Sequence, residues 1–493
     1  MVNLNIIANL IGKLAIAGAA FLAVPIYVNI LGKESYSLVS LLTTIQAIFI
    51  LLDGGVSAGY LKQIAFYSKS SIYEKKAFCL SRIIEILFWC ISTLIFSILY
   101  FSKNILMNEW LNISEKLKPN AQESYIYISI IVSIKFLLLF YYSTLKGYQR
   151  FLLINIITVS ATVAKFILAI ILLQFFKDIS TIFKVYVVIS ILELIFVKIY
   201  ADKSFTYKKF NRSIGMDELK KIKIFIGTMA LVSLTSAILA QMDKVIISSH
   251  VTLEEYSYYA IASLVASVPL LISSPMSSAI YPKLVQLVDD KIELSKFYIR
   301  YSMLISLIIF PLSIYYILNA NDILIWWTSD NQIMEKANSV SILLIIGSSL
   351  LSIMSMPYFL ALSHNLVKIP LITNLITISI TAPTIFLLIP KFGIISGGIS
   401  WLIVNVILMI IFQFKLKEKK ILVNNSHWFI LNIIILIITF TFIFVLNNLL
   451  KETFILQNVI FRGMFLVILL YCIGIYWWRK DVTFYSNPYK GKK

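Results

Sequence analysis

Three lysines interrupt stretches of the sequence that are otherwise strongly apolar. Lys13, Lys135 and Lys165 lie on three different apolar segments, and the last two lie close to the middle of theirs. An ammonium group at the centre of a bilayer costs at least about 2.5 kcal/mol, and a lysine stem is too short to reach water from that depth. These positions therefore favour either a hydrated cavity, in which the lysines would bind an anion, or ion pairs with acidic partners.

Further charged residues within apolar segments extend this set. Arg82 and Lys244 are additional candidate cavity cations, whereas Asp53, Glu85 and Asp243 are candidates for ion pairing or for coupling to an ion gradient. Residues three apart share a helix face, so Arg82 and Glu85 favour an internal salt bridge. Adjacent residues point about 100° apart on a helix. At least one of Asp243 and Lys244 should therefore have a partner elsewhere.

Other charged residues favour structural interpretations. Lys184, Lys198 and Arg462 lie towards the ends of their apolar segments and are interpreted as interface anchors. Asp53 is interpreted as an ion-pair partner or helix cap, with a proton relay as the alternative. Glu193 lies in the inner half of its segment, and no pattern in the sequence selects a partner for it.

The sequence contains no pattern typical of a metal site, a redox site or a nucleotide site. Cys79, Cys90 and Cys472 all lie within apolar segments, and the three histidines have no ligand spacing. A Walker A motif is absent. We therefore expect no cofactor, and no ATP hydrolysis within this chain.

These charged residues are positioned by membrane-spanning helices. The chain has 493 residues, of which 59% are hydrophobic, and a mean hydropathy of +0.89, which excludes an ordinary soluble globule. Apolar runs of about 20 residues, long enough to cross a bilayer, recur along the chain. The sequence predicts an all-α polytopic membrane protein with about fourteen spans, at 5–31, 36–61, 77–101, 122–145, 151–175, 179–200, 222–249, 255–282, 297–319, 337–363, 369–390, 395–414, 428–450 and 459–478.

The distribution of basic residues predicts the orientation. If both termini are cytoplasmic, most Lys and Arg residues lie in inner loops and in the tail, and few lie in outer loops. The net charge of +19 then follows from topology, so we expect no nucleic-acid partner.

An internal repeat divides the predicted spans into two halves. An offset of about 219 residues aligns INIITVSATVAKFIL (154–168) with TNLITISITAPTIFL (373–387), and a similar offset aligns LGKESYSL (31–38) with VTLEEYSY (251–258). The predicted domains are an N-lobe of six spans (1–200), a basic cytoplasmic linker on the lipid surface (201–221), a C-lobe of six spans (222–414), and two further spans with a basic tail (415–493). The repeat has Thr384 where the first half has Lys165.

Several motifs resemble a known transporter family. VPIYVNILGKESYSLVSLL (24–42), FILLDGGVSAGYLKQIA (49–65), STLKGYQRF (143–151) and AQMDKVIISSHVTLEEYSYYAIA (240–262) are similar to those of polysaccharide or O-antigen flippases. That family belongs to the multidrug/oligosaccharidyl-lipid/polysaccharide exporter (MOP) superfamily. The resemblance implies two pseudo-symmetric six-helix lobes around a central cavity, with two extra C-terminal helices here.

The resemblance also implies a substrate and a mechanism. Flippases of this kind move undecaprenyl-diphosphate-linked oligosaccharides across the bacterial inner membrane by alternating access, which makes the chain a transporter and not an enzyme. The candidate cavity cations would then hold the diphosphate. Coupling to an H⁺ or Na⁺ gradient is left open, and membrane lipid, a polysaccharide polymerase and a chain-length regulator are the implied partners.

Three other functions remain as alternatives. A multidrug exporter of the same superfamily is disfavoured because lysines in the cavity would repel cationic drugs. A polysaccharide polymerase or ligase is disfavoured because the longest outer loop, 102–120, is short for a glycosyl-transfer site. A scaffold or receptor would gain nothing from costly charges in the membrane.

Overall fold

Helices form nearly all of the chain that the structure describes. The computed structural model describes residues 2–50, 53, 56–68, 70–105, 118–364, 366, 368–419, 421–422, 426–451, 459 and 462–463, and within helices some side chains, including those of residues 2–15 and 222–233, are not described. Seventeen α-helices occur within these residues. The predicted all-α fold class is confirmed.

The chain divides into two compact units. Unit 1 comprises residues 1–260 and 385–394, and unit 2 comprises residues 261–384 and 395–493. The helices that lie in or begin in unit 1 are α1 (Val2–Leu31), α2 (Lys33–Ile50), α3 (Val56–Tyr67), α4 (Glu74–Ile105), α5 (Lys118–Gly147), α6 (Phe151–Phe175), α7 (Ile179–Asp202), α8 (Arg212–His250) and α9 (Leu253–Ala266).

Unit 2 is built from the second series of helices. These are α10 (Val268–Gln286), α11 (Lys291–Leu318), α12 (Ala320–Thr328), α13 (Asn331–Ile353), α14 (Ser355–Ser363), α15 (Lys368–Phe392), α16 (Ile395–Glu418) and α17 (Ser426–Lys451). The last turns of α15 belong to unit 1. The lobe boundaries predicted from the sequence stay predictions.

Local sequence signals determine where several helices begin and end. The side chains of Asn211, Asp290 and Asp330 accept hydrogen bonds from backbone N–H groups in the first turns of α8, α11 and α13, which would otherwise lack acceptors. Gly32 between α1 and α2 and Gly393 between α15 and α16 have φ angles of +83° and +51°. Glycine tolerates this left-handed conformation without a steric penalty, so the chain can turn sharply at both positions.

The helices of the two series correspond, as the repeat predicted. Helices α6 and α15 each have 25 residues, and α7 and α16 each have 24. In unit 1 α5 packs against α4 and α7, and in unit 2 α13 packs against α11 and α16. The repeat residues Tyr36 and Tyr256 are both buried in the first turns of α2 and α9.

Nine of the described helical segments are long and apolar enough to cross a membrane. They are Glu74–Ile105, Lys118–Gly147, Phe151–Phe175, Leu253–Ser277, Lys291–Leu318, Asn331–Ser363, Lys368–Phe392, Ile395–Glu418 and Trp428–Asn448. The predicted span 459–478 falls almost entirely outside the described residues, so the total of fourteen stays a prediction.

The segment that follows α7 packs against α4 along one side. Phe205 lies edge-on against Phe78, with 5.7 Å between ring centres. A Cβ atom on Gly215 would lie 2.6 Å from the carbonyl oxygen of Cys79, so only glycine permits this approach. The prediction of a lipid-surface linker over 201–221 therefore omitted this docking, which leaves Lys208, Lys209 and Phe210 exposed.

The first of the two extra C-terminal spans is an integral part of unit 2. Helix α17 packs against α11, and the indole N–H of Trp428 donates to the hydroxyl of Ser302 at 2.6 Å.

Arg462, in the second predicted extra span, is only 1% exposed and donates to the amide oxygen of Asn319 at 2.9 Å. The interpretation of Arg462 as an interface anchor was wrong, because its guanidinium lies inside unit 2.

Candidate functional site

Three neighbouring helices of unit 1 bring together the ionisable residues of the candidate site. Helix α7 packs against both α5 and α6. Lys135, Lys165 and Glu193 lie in the middle third of α5, α6 and α7, respectively. Because each helix is otherwise largely apolar, these three side chains have one another as partners at this depth.

The carboxylate of Glu193 is the centre of the cluster. The Nζ atom of Lys135 donates to Oε1 at 3.0 Å and to Oε2 at 2.7 Å, and the Nζ atom of Lys165 lies 3.4 Å from Oε2. The hydroxyl of Tyr142, on α5, donates to Oε1 at 2.7 Å. Both carboxylate oxygens are therefore fully engaged by donors from the two neighbouring helices.

The charges in this cluster do not cancel. When both lysines are protonated, two ammonium groups face one carboxylate, which leaves one net positive charge. A buried ion pair is stable only when its geometry compensates for lost hydration, and removing one partner is strongly destabilising. The single carboxylate therefore compensates only one of the two ammonium groups, and the remaining positive charge would attract an additional anion.

Exposure differs sharply among the three ionisable side chains. The side chain of Lys135 is 25% exposed, that of Lys165 is 11% exposed and that of Glu193 is 2% exposed. Of the three side chains, that of Lys135 is therefore the most accessible from outside the protein.

Aromatic residues surround the buried end of the cluster. The Nζ atom of Lys165 lies 6.0 Å from the ring centre of Tyr186, close enough for a cation–π contact. The hydroxyls of Tyr186 and Tyr27 are 3.3 Å apart, and the ring of Phe166 packs against both tyrosine rings. These contacts fix the direction in which Lys165 points.

A second charged cluster lies near the N-terminal end of α4 and the C-terminal end of α7. The predicted pair of Arg82 and Glu85 is present, and Arg82 also donates to Asp202 at 2.9 Å. Glu85 additionally accepts a hydrogen bond from Tyr141 at 2.7 Å and lies 3.9 Å from the Nζ atom of Lys198. Arg82 is thus engaged by two carboxylates and does not join the central cluster.

The remaining predicted site residues lie apart from both clusters. Asp53 accepts hydrogen bonds from the backbone N–H and the hydroxyl of Ser57 at the start of α3, as predicted for a cap. Asp243 accepts a hydrogen bond from the hydroxyl of Tyr259, and its carboxylate lies 3.9 Å from the ammonium of Lys244.

The side chain of Lys13 lies outside the described part of the chain. Lys184, predicted as an anchor, is half-exposed and pairs with Glu123 at 3.0 Å. None of the cations outside the central cluster combines mid-helix depth with a shared carboxylate among the described side chains.

Sequence reasoning missed the role of Glu193 and Tyr142. Helical periodicity places residues within one helix, but partners on separate helices depend on tertiary packing. Charge balance was the available signal, since an acid in the middle of one span demands a cation at a similar depth on another.

Comparisons with known proteins identify relatives of the chain. A family model described as polysaccharide biosynthesis protein matches residues 3–288. A protein of Shigella flexneri that carries the name O-antigen transporter is 21% identical over 391 residues, covering 75% of this chain and 87% of that protein.

Solved transporter structures share the fold. Lipid II flippase MurJ in an inward closed conformation matches with a TM-score of 0.73 and 17% identity, over 95% of this chain and 98% of that one. An inward-facing multidrug resistance MATE family transporter of the MOP superfamily matches with a TM-score of 0.65 and 16% identity, over 84% of this chain and 98% of that one. The predicted fold class of MOP and MATE transporters is confirmed.

Proposed function

Because the chain belongs to the polysaccharide biosynthesis protein family, we propose that it is a flippase for a lipid-linked oligosaccharide. The substrate is an O-antigen or related repeat unit on undecaprenyl diphosphate, which the protein moves from the cytoplasmic to the outer leaflet of the bacterial inner membrane. The observation that carries this proposal is the pair of mid-helix lysines that share the buried carboxylate of Glu193.

The two lysines supply the chemistry that this substrate needs. A diphosphate loses its hydration when it enters a region of low dielectric, and ammonium donors replace part of that hydration. Lys135 and Lys165 would hold the diphosphate while the prenyl tail remains in lipid. Alternating access then exposes the bound headgroup first to one leaflet and then to the other.

The sign of the charge also separates the candidate transport functions. A cationic drug would be repelled by a cluster with one net positive charge, whereas a diphosphate would be attracted. A polymerase or ligase would need reacting groups at a glycosyl-transfer site. The cluster of Lys135, Lys165 and Glu193 instead lies in the middle of apolar helices, where a binding role for an anion fits best.

Asp243 is the best candidate for coupling to an H⁺ or Na⁺ gradient. It is 5% exposed, and its Oδ1 atom lies 3.9 Å from the ammonium of Lys244 but has no hydrogen-bond donor among the described residues. Asp53 instead caps α3, and both carboxylate oxygens of Glu85 accept hydrogen bonds, from Arg82 and Tyr141. Asp243→Asn should remove gradient-dependent transport while leaving the protein folded and able to bind the substrate.

Several cellular features accompany this function. Both termini would be cytoplasmic, and a polysaccharide polymerase with a chain-length regulator would use the flipped repeat units. None of these partners is needed for the binding step at Lys135 and Lys165, so that step can be measured on the purified chain.

The test compares a strain that lacks this protein with the same strain after complementation. Loss of surface polysaccharide, with repeat units accumulating on the cytoplasmic face, is the expected result. Repeat units that reach the outer leaflet but stay unpolymerised would instead identify a polymerase function and reject the flippase.

A further inference from the structure

We propose that Glu193 is an exchangeable internal counter-ion that takes the place of the substrate diphosphate on Lys135 and Lys165 when the carrier is empty. The inference rests on the proposed function and adds a residue to it. Glu193 does not itself attract an anionic substrate. Its part is to compete with the substrate for the same two ammonium groups.

The competition follows from the hydrogen-bond donors that are available. An ammonium group has three N–H donors, and Lys135 directs its donors to both oxygens of Glu193, at 3.0 and 2.7 Å. Carboxylate and phosphate oxygens are the same class of charged acceptor. Because Glu193 takes two of these donors, a diphosphate that accepts from more than one N–H of Lys135 must displace part of the Glu193 carboxylate.

Glu193 holds the two lysines unequally. The exchange between Glu193 and the substrate therefore has a preferred order. Lys135 makes the shorter contact with Glu193 but is the more exposed cation, whereas Lys165 is more buried and lies 3.4 Å from the carboxylate. An entering anion reaches Lys135 first and weakens its hold on Glu193. Lys165, with the looser contact, can then turn towards the anion.

The return of the empty carrier explains why an internal anion is useful. Two unpaired ammonium groups in the middle of a membrane are strongly unfavourable, and a transporter that has released its substrate would contain both. As the substrate leaves, Glu193 compensates one of these two charges. Tyr142 donates to Oε1 at 2.7 Å and keeps the carboxylate in place for this exchange.

The experiment measures the affinity of Glu193→Gln for farnesyl diphosphate in the full-length protein in lipid nanodiscs. Glutamine is nearly isosteric but uncharged, so it competes poorly for the lysines. We expect binding that is about tenfold tighter, corresponding to about 1.4 kcal/mol. Transport of the undecaprenyl-diphosphate substrate should slow by a similar factor, because release leaves the lysines uncompensated.

Glu218→Gln is the matched control. Glu218 is also buried, and it also contacts two lysines, Lys221 at 2.7 Å and Lys76 at 3.9 Å, and accepts a hydrogen bond from a tyrosine, Tyr67. It lies in the segment before the predicted seventh span, outside the membrane. The same loss of one buried charge should leave the affinity for farnesyl diphosphate unchanged.

A second variant keeps the test decisive if Glu193→Gln does not fold. Glu193→Asp retains the charge but shortens the side chain, so its hold on the lysines weakens, and we expect about threefold tighter binding. A purely structural role would lower thermal stability without tightening binding. Unchanged or weaker affinity in whichever of the two variants folds would overturn the inference.

Failure of the inference can be distinguished from failure of the proposed function. Lys135→Gln and Lys165→Gln should each weaken binding of farnesyl diphosphate. If neither does, the lysines do not bind the substrate and the proposed site is wrong. If both weaken binding while the Glu193 variants do not tighten it, only the role of Glu193 as internal counter-ion is rejected.

Discussion

Corresponding helix pairs in the two units pack equally extensively but differ in the contacts that cross their interfaces. In unit 1, α5 and α7 are joined by the ion pair between Lys135 and Glu193. In unit 2, α13 and α16 are joined by close packing, since a Cβ atom on Gly398 would lie 2.9 Å from the Cβ of Leu343. The indole N–H of Trp401 adds one hydrogen bond across this second pair, to Ser348 at 3.1 Å.

The difference extends beyond these two helix pairs. Among the described residues, buried carboxylates occur in unit 1 at Glu85, Glu193, Glu218 and Asp243, and none is buried in unit 2. The buried polar residues described in unit 2 are mostly serine, threonine and asparagine, with Arg462 as the charged exception. Among the described residues, unit 1 thus buries carboxylates, whereas unit 2 buries mainly uncharged polar groups.

Lys165 should show the largest difference between the units. Lys165→Glu places a second carboxylate beside Glu193, so transport should fall at least about 100-fold, because uncompensated buried charge costs several kcal/mol. Lys165→Arg should largely retain transport, since the positive charge remains. The measurement is the amount of surface polysaccharide in a complemented strain.

The matched change in unit 2 is Thr384→Ala. Thr384 is the repeat counterpart of Lys165, and its hydroxyl donates to the carbonyl of Ile380 within its own helix at 2.7 Å. Transport should change less than about threefold, because a local hydroxyl of this kind contributes little. Equal activity of Lys165→Glu and Lys165→Arg would instead remove the functional contrast between the two units.

The stability of unit 2 should depend more on close packing between its helices than on charged residues. Gly398→Val places a branched side chain against Leu343 and Val340 at the interface of α13 and α16, which should cost about 2 kcal/mol of unfolding free energy. Gly18→Val is the control, since a Cβ atom on Gly18 meets nothing within 4 Å. Thermal unfolding in detergent measures both, and equal stability of the two variants would contradict close packing as the main interaction.

Sequence reasoning predicted the fold better than it predicted the contacts of the site. Hydropathy and repeat spacing depend on the sequence alone. The all-α fold and the correspondence of α6 with α15 could therefore be predicted. The pair of Arg82 and Glu85 was also predictable, because residues three apart on one helix share a face.

The contacts between helices were not predictable in the same way. Glu193 could have paired with any cation at its depth, and its choice of Lys135 and Lys165 depends on how α5, α6 and α7 pack. Arg462 was misjudged for the same reason. Its position near the start of a predicted span suggested an interface, but the packing of unit 2 places its guanidinium beside Asn319.

Acidification should increase local unfolding of residues 205–221 in unit 1 before it affects unit 2. Burial alone would raise the pKa of Glu218, but hydrogen bonds from Lys221 and Tyr67 and the charges of Lys221 and Lys76 hold that pKa below its usual value. A carboxylate with a lowered pKa stabilises the folded state above its unfolded pKa of about 4.3, and this stability is lost as the pH falls through the folded pKa.

Hydrogen exchange in residues 205–221 measures this loosening. Below about pH 4 the exchange, corrected for the intrinsic pH dependence, should rise in this segment but not in unit 2. Glu218→Gln should raise exchange in the segment already at neutral pH and remove the acid response. An equal response of both units in the wild-type protein would show that the carboxylate of Glu218 does not stabilise residues 205–221.

The smallest expected effect concerns the one hydrogen bond that joins α13 and α16 through Trp401. Trp401→Phe keeps most of the ring that packs on Gly347 but removes the indole N–H that donates to Ser348. Because a typical hydrogen bond contributes about 1 kcal/mol, the variant should lose about that much unfolding free energy. Ser348→Ala removes the same bond from the other side, so combining both changes should cost less than the sum of the single losses. Additive losses would show that the two groups do not act as a pair, and that shape alone holds these helices together.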